Sequence, residues 1–372
     1  MTNLGDITRQ FSMEGATHLY SSYPAMLTPA DLYRVKDNLA HKEALSGCNI
    51  YLIARRPRIY LKPEGFALNG RTISGEFLVL REHGMTVVPF VYDICVSSIP
   101  EDIPIEDVAV ALNGTSLIIV TPAGKQFIAV NAIIAAAKSL LTPHDTDLEV
   151  LYVGQAIGRT SSRNALDRLL SHNKLQQILA ETSTHFPERE ILLLLYRFEH
   201  GKTIISNGGD FNVGAQASDE QDSAHMDRLR NVRLGRKEVV SLAEAGLINY
   251  FKPHYNTLIK TNNFSSKDKL KVLKQLLNKG IAGLVLELCS VNLRSRVGTV
   301  HAVPIDLTEM MPDEVLDGRN LEDDGMKEQL KEQLKQMAHT HYARFPLTTT
   351  EERNTFLHGT TFVGQTEEPL NC

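Results

Sequence analysis

The chain has 372 residues, 42% hydrophobic and 22% charged, with a net charge of −5 and a pI near 6.2. That length allows two or three domains, each able to bury its own core, and the acidic balance excludes a protein that coats nucleic acid without specificity. No run approaches the roughly 18 apolar residues of a membrane span; the best candidate, Phe127 to Leu141, is interrupted by Asn131 and Lys138.

Met1 to Ser12 has neither an apolar core nor a basic leader, so no signal peptide is expected there. Four scattered cysteines (Cys48, Cys95, Cys289, Cys372) form no CxxC pair, which excludes the common zinc-finger spacings and a disulfide framework. The expectation is a cytoplasmic, reduced protein without a membrane partner. HExxH, GxxxxGK[ST] and GxSxG are absent as well.

In chain order, residues 1 to about 45 read as a helical lead-in, with Pro29-Ala30-Asp31 opening a helix that runs to Ala44. From Cys48 to Val130 short β-type runs alternate with Gly and Pro turns: Asn49 to Ala54, Arg58 to Leu61, Gly75 to Leu80, Thr86 to Cys95, Val108 to Leu112, Ser116 to Thr121 and Gln126 to Val130. Asn113-Gly114 is a hairpin signal, and Asn131 to Leu141 reads as a helix stopped at Thr142-Pro143. These runs define a β-rich recognition or regulatory domain over 46–142.

A second unit is expected over 145–260. Leu148 to Val153 is a strand, Arg163 to Glu181 a helix capped near Asn164, Glu190 to Glu199 a buried strand, Asn207 to Ala224 a polar loop, and Lys237 to Phe251 a helix stopped by Pro253. An α/β extension follows over 265–372, with a basic helix (Lys267 to Leu277), strands Gly283 to Cys289 and Val297 to Ile305, and a charged helix Met326 to Tyr342. The last 15 residues are expected to fray. The whole is α/β (α+β): a small mixed sheet flanked by helices, preceded by the β-rich domain. Charge is uneven along it. Met226 to Lys279 holds twelve Lys/Arg against four Asp/Glu, while Asp306 to Asp324 is acidic; this fits either a local phosphate-binding face or an ordinary solvated surface.

Three groups of residues carry chemistry. Glu244 lies in the apolar stripe Val240, Leu247, Phe251, where a carboxylate must be paired, at the stripe's edge, or bound to metal. Arg168 and His172, one turn apart, share a face; an Arg offers a donor fork for phosphate and a His can hold or relay a proton. Tyr152 and Gly154 end a strand, the Gly allowing close backbone approach. His339, His341 and His358 read as chance histidines of a helix end, and Asp222, His225 and Asp227 as loop composition. Lys267, Lys269, Lys271 and Lys274 would contact nucleic acid or form a solvated face.

Their order has a counterpart. Leu151-Tyr152-Val153-Gly154-Gln155, then Arg168 and His172, then Glu244 twelve residues before the Asn256 of Pro253-His254-Tyr255-Asn256, resembles the GIY-YIG nuclease domain, in the branch found in nucleotide-excision-repair incision subunits. The resemblance covers residues 148 to about 260. It implies divalent-metal-dependent hydrolysis of phosphodiester bonds in nucleic acid, DNA ahead of RNA, in restriction, defence or repair. Glu244 would hold Mg²⁺ or Mn²⁺, Arg168 would neutralise charge on the scissile phosphate, and Tyr152 would position or deprotonate the attacking water, with His172 a second candidate for that proton. Gly154, Gln155, Arg159, Arg163 and Asn256 complete the expected substrate-contacting set, Asn256 either structural or on phosphate. Two departures stand out. No Gly-Ile-Tyr strand precedes Tyr152 by about ten residues, where Leu140-Leu141-Thr142-Pro143 stands instead, and the longer stretch to Arg168 offers Arg159 or Arg163 as substitutes for it. The alternatives are a degenerate nucleic-acid-binding or regulatory module that keeps the site without turnover, and an accidental match. A protein partner or a homo-oligomer stays open.

Overall fold

The computed structural model describes residues 9–95, 99–111, 113–157, 165–207, 214–256, 267–305, 325, 329–330, 333–334 and 337–359. The protein is α/β, built on one eleven-stranded, partly parallel sheet and a smaller three-stranded one. In chain order the elements are β1 (Glu14–Leu27), α1 (Asp31–Lys36), α2 (Leu39–Ala44), β2 (Ile50–Leu61), β3 (Ala67–Asn69), β4 (Thr72–Arg81) and β5 (Gly84–Asp93). There follow β6 (Asp107–Val110), β7 (Ser116–Thr121), β8 (Gly124–Ala129), α3 (Val130–Ala136), β9 (Lys138–Ser139), α4 (Pro143–Thr146) and β10 (Leu148–Gln155). The chain continues through α5 (Ala165–Leu169), α6 (Asn173–His185), β11 (Arg189–Ser206), α7 (Asp219–Arg230), α8 (Arg236–Phe251), α9 (Lys267–Asn278), β12 (Ile281–Cys289), β13 (Val297–Gly298) and β14 (Thr340–Pro346).

The large sheet runs β14-β12-β1-β11-β2-β4-β5-β9, with β10 also pairing β2 and β13, and β3 pairing β4. Among the described strands, β1–β12 and β10–β13 pair in parallel and the other pairs are antiparallel. Period-2 alternation sends the residues of β2 to opposite faces. Ile50, Leu52 and Ala54 join a core with Val240, Leu247 and Phe251 of α8, whereas Tyr51 and Ile53 join Leu166, Leu169, Leu175 and Ile178 of α5 and α6. A third core joins Ile59 and Leu61, at the far end of β2, to residues of the segment between β2 and β10 as far as Ile134. The β-rich segment is thus an insertion between two neighbouring strands. Pairing of β2 with β10 covers Glu149–Gln155, and β2 then continues to pair β4 over Arg58–Leu61.

Several expectations change. The helical lead-in is helical only from Asp31; before it, β1 is an inner strand between β11 and β12. Residues 50–56, assigned by sequence to the β-rich domain, pair with β10 and β11, and β12 and β14 lie in the same sheet as β2. The strand from Val297 ends at Gly298, where Thr299 and Ala302 close a turn. The helix expected to reach Tyr342 gives way at Thr340 to β14. Asp219 to Ala224 are helical, because Ser218 caps α7 in a capping box with Gln221. Among the described residues no helix is long and apolar enough to cross a membrane.

Candidate active site

The helix expected from Arg163 to Glu181 is broken. α5 ends at Leu169, and His172 takes an extended conformation (φ −95°, ψ 106°) as N-cap of α6. Ser171-His172-Asn173 is a run of weak helix formers, and the cap rewards the break: His172 Nδ1 accepts from the Leu175 N–H at 3.3 Å. This assigns the tautomer. With Nδ1 accepting, the neutral ring carries its proton on Nε2, which donates to the hydroxyl of Tyr51 at 3.1 Å.

Tyr51 stands in the register position opposite Gly154, and Tyr152 opposite Ile53. A bulge at Leu151 turns both tyrosines to the same face. Their rings are 6.2 Å apart, and His172 lies 5.5 Å from Tyr51 and 5.3 Å from Tyr152. Gly154 is what allows this: a Cβ there would lie 2.5 Å from Tyr51 Cζ and Oη and 2.8 Å from Tyr152 Cε1. Tyr51 was missed by the sequence reading. Ile50 and Tyr51 lie on the strand that pairs with Tyr152-Val153-Gly154, although about a hundred residues of chain separate the two. The signal was present in Ile50-Tyr51 within a run already read as a strand.

Arg168, exposed at the end of α5, reaches the Tyr51 hydroxyl. Glu244, half-buried in the third turn of α8, acts on both tyrosines through space. Burial raises the proton affinity of Tyr51, with Tyr152 adding to it and Arg168 opposing. Burial also raises Tyr152, helped by Glu244 and opposed by Arg168 and by a hydrogen bond from Tyr51. His172 is pushed down to about 4 by burial, by Arg168 and by Lys174; it is neutral at physiological pH and donates to Tyr51 rather than accepting a proton from water.

Asn256 is 8% exposed, and its amide brackets the tyrosine-bearing strand: Oδ1 accepts from Val153 N and Nδ2 donates to Val153 O, both at 2.8 Å. Of its two expected roles it takes the structural one. Gln155 is half-exposed at the end of β10. Arg159, Arg163 and Asn164 lie outside the described residues. Tyr152, Arg168, His172, Glu244, Gly154 and Asn256 therefore come together, and Tyr51 joins them.

The remaining candidates do not join the site. His341 is buried between the Tyr250 hydroxyl and Val297 O, His358 bonds Thr355 and Thr348, and Asp222 accepts from Ser12 N. His225 is buried beneath Phe11, stacked at 3.9 Å. Lys271 and Lys274 are exposed on α9. Among the described residues no group of three or more His, Cys, Asp or Glu forms a metal cage. One half-buried carboxylate beside two phenols instead suits a hard ion that keeps most of its water shell, as Mg²⁺ does. No protein-family model, no curated protein and no solved structure matches the chain.

Proposed function

We infer that the protein is a divalent-metal-dependent endonuclease of the GIY-YIG type, acting on nucleic acid and on DNA ahead of RNA. The observation that carries this reading is the placement of Tyr51 beside Tyr152, with His172 behind the pair and Arg168 and Glu244 in reach of it. Residues from β2, β10, α5, the cap of α6 and α8 bring together side-chain types that phosphodiester hydrolysis uses.

Each side chain has a distinct task. Glu244 holds Mg²⁺ or Mn²⁺, which when bound supplies Lewis acidity and a clamp on phosphate oxygens. Arg168 offers its exposed fork to the scissile phosphate and offsets the charge that builds there. His172 Nε2–H donates to the Tyr51 hydroxyl, and the Tyr51 ring lies beside that of Tyr152. Tyr152, the less buried of the two phenols, orients the attacking water or takes its proton. His172 acts only through Tyr51, because the cap on α6 occupies its other nitrogen.

The test is plasmid DNA and RNA incubated with wild type, Glu244→Gln and Tyr152→Phe in Mg²⁺, Mn²⁺ or chelator. Metal-dependent cleavage lost in both variants is expected. Binding that is salt-sensitive, without cleavage under any condition, would instead identify the non-cleaving module.

A further inference from the structure

Arg236 opens α8, the helix that carries Glu244, and its guanidinium leaves that helix for the strand ends beside the tyrosine pair. Nε and Nη2 both donate to Asn49 Oδ1, at 2.9 and 2.6 Å, and Nη2 also donates to Gly47 O at 2.8 Å. Nη1 donates to Phe198 O and lies 3.8 Å from Glu199. Every nitrogen of the fork is engaged with protein. An Arg so committed is a strut and not a phosphate ligand, although its position in the basic stretch of the sequence suggests the opposite.

Asn49 passes the hold on. It is 8% exposed, its Nδ2 donates to Ala156 O at 2.9 Å, and its own carbonyl accepts from Ala156 N at 2.8 Å. Asn49 stands two residues before Tyr51, and Ala156 four after Tyr152. One side chain therefore links the start of α8, the start of β2 and the exit of β10, which carry Glu244, Tyr51 and Tyr152 respectively. The inserted segment lies at the other end of β2 and β10, so this end of the strand pair receives no bracing from it.

We propose that Arg236 is a positioning residue which, through Asn49, holds β2, β10 and α8 in the arrangement that brings Tyr51, Tyr152 and Glu244 together. Its catalytic consequence rests on the nuclease reading; its geometric consequence does not. The experiment uses the full chain labelled with ¹³Cζ-tyrosine, with Tyr51→Phe and Tyr152→Phe assigning two of the signals. In Arg236→Lys those two are expected to shift while the other nine stay in place, and kcat on plasmid DNA to fall about 10–100-fold with KM within about twofold. Unshifted Tyr51 and Tyr152 signals in the folded variant would overturn the proposal. So would a raised KM with kcat intact, the mark of a direct phosphate contact. Should Arg236→Lys not fold, Asn49→Asp keeps the acceptor for Arg236 and removes the donor to Ala156; the same two signals must move, and their failure to do so also overturns it. If the wild type cleaves nothing, the nuclease reading fails while the tyrosine signals still decide the positioning.

Discussion

Replacing Gly154 by alanine sets a methyl group 2.5 Å from Tyr51 Cζ and Oη and 2.8 Å from Tyr152 Cε1. Non-bonded carbons prefer about 3.5–4.0 Å, so the Tyr51 ring must retreat by about 1 Å. It has little room, being 1% exposed and tied at its hydroxyl to His172. Overpacking of this kind costs about 1–3 kcal/mol, and an error of about 1 Å among reacting groups costs about 100-fold in rate. Urea unfolding and plasmid-cleavage kcat measure the two effects separately. Tyr51→Leu removes the two closest of these contacts and leaves that with Tyr152 Cε1, so adding Gly154→Ala in that background should cost clearly less than in the wild type, a non-additivity diagnostic of direct contact. Equal cost in both backgrounds, or a Gly154→Ala protein as stable and as active as wild type, would refute the strand register on which the site is built.

Asn256→Ala orphans Val153 N and O and should cost about 2–4 kcal/mol in urea unfolding, while Asn256→Asp, which sets a carboxylate against Val153 O, should recover little of it. Arg56, with a fully buried side chain, holds Glu190 at 2.8 Å and also Asn131 of the inserted segment. Arg56→Met should cost about 3–5 kcal/mol by stranding Glu190, and adding Glu190→Gln should return part of that. His172, His225 and His341 are each held down to about 4, first by burial. The unfolded chain therefore takes up protons first: the stability these groups contribute is complete above about pH 6.5 and is lost as pH falls through about 4, up to about 3 kcal/mol per histidine. The pH dependence of the urea midpoint should be flatter in His172→Gln than in wild type, and an unchanged profile would place His172 in water.

Elements set by local pattern were legible in the sequence. The strand at Ser116 to Thr121, the hairpin at Asn113-Gly114, the buried run Ile191 to Tyr196 and the helix ending at Phe251 all stand where hydrophobic period and turn chemistry put them. β1 was not legible, because Glu14 to Leu27 mixes Gly, Ser, Thr and Pro without clean alternation and is held in place by β11 and β12, whose residues lie far along the chain. The site was legible in parts. Glu244 drew notice as a charge in an apolar stripe, and Tyr152 as a strand end. Tyr51 escaped because it lies about a hundred residues before Tyr152 and meets it only through strand pairing. His172 was placed on a continuous helix because helical period alone cannot show that its ring is worth more as a cap.

The insertion also explains how such a site survives it. β2 and β10 are antiparallel, so the end of one lies near the beginning of the other, and a segment with its own core can enter there at the modest cost of loop closure. Arg56 with Glu190 and Asn131, Arg81 with Asp145, and Arg296 with Asp147 brace that end. From Tyr51 to the last residue of β2 the strand rises about 33 Å, at about 3.3 Å per residue. The insertion therefore acts on the tyrosines through the strands and not by touching them. Its composition agrees, for Pro57 to Asp147 carries six Lys/Arg against ten Asp/Glu, a charge that repels phosphate rather than gathering it. The two ends of one strand pair have separate work: the far end anchors an acidic domain, and the near end, held by Asn49 and Arg236, keeps two phenols in register whatever that domain binds.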